Sequence, residues 1–198
     1  MRSSRVETAF QAIDAANSAD PNAEQYEGKA YPKELLYGRR MSVWMDALRP
    51  DAPEALEIAA RAQHICRWEI PRDSFPMDRK GYLMWRKKLY TWHADKAAAI
   101  LRDLAFDEET VERVMFLLQK RQLNTDPDTQ SLEDAACLVF LQFHFNAFAA
   151  EKEEEMMIPI IRKTWQKMSA DGHAHALLLD FAPEDFALIQ RALAAEPA

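Results

Sequence analysis

The stretch RAQHICRWEIPRDSFPMDRKGYLMWRKKLYTWHAD, residues 61–95, gathers two histidines, five arginines, three tryptophans and two prolines. Imidazoles offer nitrogen lone pairs near neutral pH, and guanidiniums offer permanent, forked donors, so the mixture suits a divalent metal or an anion. Spacing sharpens this. Arg61, His64, Arg67 and Trp68 recur at three- and four-residue intervals and would share one side of a helix. Arg86, Leu89, His93, Ala97 and Ile100 would do the same on the next. Setting His64 opposite His93 would line a pocket with imidazoles and guanidiniums. Residues 61–96 carry nine Lys or Arg against four acids, in a chain of net charge −7. Neighbouring guanidiniums repel and gain little from exposed pairing, so this inversion implies an anion. Arg61, Arg67, Arg72 and Arg86 are expected to converge on it. The two-proline loop would hold Arg72 over the histidines, while Trp68, Trp85 and Trp92 pack the walls. A histidine at the edge of an apolar stripe is more often a hydrogen-bonded core residue, and Lys87 and Lys88 read as ordinary surface charges.

Further along, Glu133 and Asp134 are the last charges before the apolar run of SLEDAACLVFLQFHFNAFAA. Ser131 as N-cap with Asp134 three residues on resembles a capping box, and acids favour that helix end in any case. Arg121 continues the Val111, Val114 and Leu118 stripe and would point inward toward an anion or snorkel at the stripe's end. His144 lies deep in an apolar helix and reads as a core residue. His173 follows Gly172, where histidines cap helix carbonyls. No GxSxG elbow, activated cysteine or glycine-rich phosphate loop is present.

The order His, His, Asp resembles the His-Asp (HD) phosphohydrolase superfamily, an all-helical group. There a histidine on one helix, a His-Asp doublet on the next and a later aspartate hold a divalent metal that activates water against a phosphate ester. The resemblance implies metal ligation by His64, His93 and Asp134. The doublet here reads HAD, and on a helix Asp95 points about 200° from His93, so those two cannot face one metal as neighbours would. A reduced two-His, one-Asp site and a metal-free relic both stay open. A longer resemblance rests on AIDAANSADPN, PKELLYGRRM, IAARAQHICRWEIPR, GYLMWR, LEDAACLVFL and RKTWQKMSADGHAHAL. Together these are similar to the bacterial and fungal family known as domain of unknown function 4202, which implies no activity, cofactor or catalytic residue. Gln142 stands after LVFL, where that family's pattern tends to an acid.

The elements that must position these residues read as helices throughout. Only four glycines occur, and apolar residues recur at helical rather than alternating spacing. A first helix carries Val6, Phe10, Ile13 and Ala16, and a second starts after Pro32. A third runs from Pro53 to a stop before Pro71, and a long fourth from about Gly81 to Leu104. A fifth covers DEETVERVMFLLQKRQL. After Pro127 breaks the connection, Ser131 opens a buried helix; EMMIPIIRKTWQKMS and PEDFALIQRALAA follow. One all-α domain of about eight helices, HD-like and covering residues 1–198, is expected. Cys66 and Cys137, alone on helices, read as reduced structural thiols. The acidic balance argues against general nucleic-acid binding. Without a signal peptide or membrane span, a cytoplasmic protein is expected.

Two functions fit. The first is a metal-dependent hydrolase of a small phosphorylated molecule or nucleotide. His64, His93 and Asp134 would hold Mn²⁺ or Fe²⁺, Glu133 would orient water, and Arg61, Arg67, Arg72, Arg86 and Arg121 would bind the anion. The second is a non-catalytic module that binds an anionic metabolite or a partner protein.

Overall fold

A computed structural model describes residues 2–194. Among these residues the chain forms ten α-helices and one small hairpin. The order is α1 (Ser4–Asn17), β1 (Ala23–Tyr26), β2 (Lys29–Pro32), α2 (Lys33–Leu48), α3 (Glu54–Arg61), α4 (Arg79–Asp103), α5 (Glu108–Leu118), α6 (Pro127–Val139), α7 (Phe145–Ala150), α8 (Glu154–Lys167), α9 (Ala170–Ala176) and α10 (Pro183–Ala194). The fold is all-α; the sheet is a two-stranded antiparallel pair, with Tyr26 opposite Lys29 at its turn. No helix among the described residues is long and apolar enough to cross a membrane. Contacts gather into two compact units that divide at Leu132 and Glu133.

In the first unit the short helix α3 is central. Five of its eight residues, Ala55, Leu56, Ile58, Ala59 and Ala60, are buried, and α1, α2 and α5 pack on it. Burying Leu56 and Ile58 fully contributes about 1.5–3 kcal/mol each. The alanines let the neighbouring backbones come close. Gly38 of α2 does the same from the other side: a Cβ there would stand 2.7 Å from the Arg61 carbonyl oxygen. Helix α4 packs on α5 and α1. It starts where Asp78 accepts the Gly81 N–H at 2.6 Å, and α5 starts where Asp107 accepts from Thr110 at 2.8 Å.

Two expected helices are interrupted. The third was to run on to Pro71; it stops at Arg61, and residues 62–66 form a turn ending with Cys66 in the left-handed region, φ 50°. That geometry costs a β-carbon-bearing residue roughly 1–2 kcal/mol. Side chains remote in sequence offset it by taking up the freed backbone groups: Asn17 accepts the Cys66 N–H at 2.9 Å, and Trp92 donates to the Cys66 carbonyl at 3.2 Å. Cys66 therefore lies in a turn, not a helix, and burial pushes its thiol up to about 11; both cysteines are free and buried.

The second interruption concerns the helix expected to open at Ser131. It opens at Pro127, whose missing N–H is harmless in a first turn. Asp126, accepting from Thr129 at 2.8 Å, supplies the cap, and Ser131 donates to the Pro127 carbonyl inside the helix at 2.9 Å. Residues Phe140–His144 then form a π-helical turn before α7. In this second unit Phe140 meets Phe145 and Phe148 edge-on at 6.0 and 5.8 Å, and α8 packs on α10.

Asn17, 1% exposed, ties α1 to the turn through Cys66 and to α2 through the Glu34 carbonyl at 3.4 Å. Asn17→Ala strands a buried N–H and should cost about 1–3 kcal/mol in urea unfolding while helical circular dichroism is kept. A loss within roughly 0.5 kcal/mol, the range of an ordinary surface change, would show that the turn does not depend on it.

Candidate functional site

The turn after α3 brings the two histidines together by a route the helical spacing did not foresee. His64 and His93 have ring centroids 5.9 Å apart with planes inclined by 30°. His93, on α4, is 3% exposed. Its Nδ1 lies 2.9 Å from the Ile65 carbonyl oxygen, which only accepts, so Nδ1 carries the proton. Adjacent side chains of α4, Trp92 and His93, thus hold the adjacent carbonyls of Cys66 and Ile65. Burial holds the His93 imidazole down to about 3, with the neighbouring His64 adding to the effect, so the ring is neutral. Its Nε2 is a buried lone pair with no hydrogen-bond partner among the described residues.

His64 is pinned on three sides. Tyr37 of α2 stacks on it, centroids 3.8 Å apart and nearly parallel. Its Nε2 faces Arg67 Nη1 at 3.0 Å and its Nδ1 faces Glu34 Oε2 at 3.2 Å. Arginine only donates, so Nε2 accepts and the ring proton sits on Nδ1, donated to Glu34. Burial pushes the Glu34 carboxyl up to about 7, while the Arg67 charge pulls it back. The result is a Glu34–His64–Arg67 chain of hydrogen bonds lying beside the neutral His93.

The arginines expected on one anion are placed differently from one another. Arg61 is held by Asp14 through two hydrogen bonds of 2.7 and 2.6 Å and lies over Phe10. Arg72 is clamped by the carbonyls of Phe75, Pro76 and Asp78, which orders the two-proline loop. Arg86 donates to the Tyr90 hydroxyl at 2.6 Å, and Arg121 is exposed. Two meet at one ring: Arg67 and Arg72 lie 4.6 and 5.9 Å from the Trp85 centroid. Trp85 is itself buried, with its indole N–H donated to the Ile70 carbonyl at 2.9 Å.

In the second unit the acids have structural partners. Asp134 accepts the Ser169 N–H at 2.8 Å and its hydroxyl at 2.6 Å, and sits where a Cβ on Gly172 would stand 2.8 Å from its Oδ1. Glu133 pairs with Lys167 at 3.4 Å. His173 stacks on Trp165 and bonds its carbonyl at 2.8 Å in the last turn of α8. Among the described residues no group of three or more His, Cys, Asp or Glu is gathered to hold a metal. A positive guanidinium on the His64 lone pair opposes a cation there as well. Of the expected ligands, His64 and His93 belong to the first unit, with the His64 lone pair on Arg67, and Asp134 belongs to the second, where it accepts from Ser169.

The family model described as Domain of unknown function (DUF4202) matches residues 7–189. The chain belongs to this family. No curated protein and no solved structure matches it. In this DUF4202 chain the sequence reading missed Glu34 and Tyr37, although both lie in the motif PKELLYGRRM. An acid in a helix's first turn reads as a partner of the helix dipole. The available signal was that Glu34 and Tyr37, three residues apart, share a face whose other residues are apolar.

The raised Glu34 carboxyl gives a signed pH dependence. Between about 4.5 and 7 the folded protein keeps a proton that the unfolded chain has released, so this contribution is full below 4.5 and is lost as pH rises through 7. Glu34→Gln should flatten that decline: relative to wild type, the variant should gain about 1–3 kcal/mol between pH 5 and pH 8 in urea unfolding. A wild-type-to-variant difference that is the same at both values would contradict the buried carboxyl.

Proposed function

We propose that this chain is a helical module that binds a small anionic molecule, a phosphate ester or comparable oxyanion, at Arg67 and the neighbouring Arg72. The observation that carries this is the state of Arg67. Its guanidinium is half-buried, is packed over Trp85 and oriented by His64, and forms no ion pair among the described residues. A guanidinium fixed in this way loses little rotamer freedom when a phosphate arrives, and its forked N–H groups match an oxyanion. Arg72, held by carbonyls rather than carboxylates, keeps its full charge beside the same ring.

Binding without turnover is favoured over metal-dependent hydrolysis. Hydrolysis would need a metal to activate water, and the His64 lone pair already accepts from Arg67. The net charge of −7 supports a small ligand over nucleic acid, since extended phosphate contacts would have to overcome it.

Calorimetry with inorganic phosphate and pyrophosphate tests the reading. Wild type should bind, less tightly as salt rises. Arg67→Ala should weaken binding by about 1.5–3 kcal/mol, the scale of a charged hydrogen bond. Arg61→Ala should leave affinity unchanged but lower stability, because it abandons Asp14. Absence of binding by wild type, or equal affinity in Arg67→Ala, would remove the site. Stoichiometric Mn or Fe in protein purified without chelator would restore the hydrolase reading.

A further inference from the structure

We propose that His93 Nε2 is a specificity element of this site, accepting a hydrogen bond from a ligand hydroxyl, so that the anion recognised is the phosphate ester of a polyol. The inference rests on the anion-binding reading above and adds a second contact to it. A neutral imidazole offers one donor and one acceptor. In His93 the donor is fixed on the Ile65 carbonyl, and the acceptor has no partner among the described residues although the ring is 97% buried, being 3% exposed. A buried acceptor left without a donor costs roughly 1–3 kcal/mol, so its retention calls for a partner at some stage of the protein's work.

The neighbours decide what that partner is. His64 stands 5.9 Å away between centroids and gives its own proton to Glu34. Arg67 reaches His64 from its other edge at 3.0 Å, and its charge and that of Glu34 act on the His93 ring. A cation at Nε2 would meet the guanidinium's charge, whereas a second anionic oxygen would meet a bare lone pair and be repelled. A neutral O–H group fits both: it donates to Nε2 while its phosphate stays with Arg67. Arg67 and His93 are both neighbours of the His64 ring, the first at 3.0 Å from its Nε2 and the second with centroids 5.9 Å apart. A hydroxyl a few bonds from the phosphorus, as in a glycerol or pentose phosphate, meets that requirement.

Calorimetry on the full chain with methyl phosphate, glycerol 3-phosphate and ribose 5-phosphate separates the two readings. Wild type should prefer at least one polyol ester over methyl phosphate by roughly tenfold, the value of one buried hydrogen bond. His93→Asn, whose amide N–H can still donate toward Ile65 but which has no acceptor at the Nε2 position, should lose the preference and keep its affinity for methyl phosphate. Should that variant not fold, nitrogen NMR on wild type serves: the His93 Nε2 resonance should move with the polyol esters and stay in place with methyl phosphate. Equal binding of all three esters, a preference retained in His93→Asn, or an unmoved resonance overturns the hydroxyl contact and leaves the anion site standing. Failure of wild type to bind any of the three removes both.

Discussion

The hydrogen bond from His93 to the Ile65 carbonyl is the constraint on which the rest of the first unit depends. It is made across 28 residues, by a helix that reaches back to the turn where α3 ends. Without a donor there, the left-handed Cys66 would leave its neighbour's carbonyl buried and unsatisfied, and continuing α3 would be the cheaper course. With it, the chain leaves the helix at Arg61 and carries His64 against Tyr37 and Glu34. The same bond fixes the His93 tautomer. Structure and chemistry therefore share one proton: the Nδ1–H that holds the turn is the reason that Nε2 is left as a lone pair.

Burial then sets the electrostatics in a definite order. Removing Glu34 and His93 from water disfavours both charged forms, raising the one and lowering the other. Arg67 brings a guanidinium charge to the same cluster. A neutral imidazole, a carboxyl poised near neutrality and a permanent cation are the grounds on which an anion is proposed there. The opposing pH dependences of Glu34 and His93 also partly cancel between about 4.5 and 6.5, where the first still favours folding and the second already opposes it.

Much of the fold was legible because local signals agreed. Pro32 before α2, the apolar stripe of α5 and the scarcity of glycine each point to helix, and helices form there. The two interruptions were not legible, for different reasons. The break at Arg61 is enforced by Asn17, Trp92 and His93, and no window around residue 62 contains them. The π-helical turn at Phe140–His144 sits in an all-round apolar run, where periodicity has no polar face to register against. The site was half legible. The pairing of His64 with His93 was expected between two helices, and the turn after α3 delivers it instead. Arg61 was misplaced because Asp14, 47 positions earlier, claims it, and Glu34 was passed over because an acid in a helix's first turn has an ordinary explanation.

The central claim is that a neutral His93 offers an unprotonated Nε2 inside the fold. Nitrogen NMR of the imidazole rings in the unliganded protein at neutral pH tests it most directly. The account predicts that His93 carries its one proton on Nδ1 and keeps that form down to acidic pH, well below the ordinary histidine range. Either a neutral ring protonated on Nε2, which would leave Nδ1 no proton for the Ile65 carbonyl, or an imidazolium at neutral pH, which would leave no acceptor at Nε2, would contradict it.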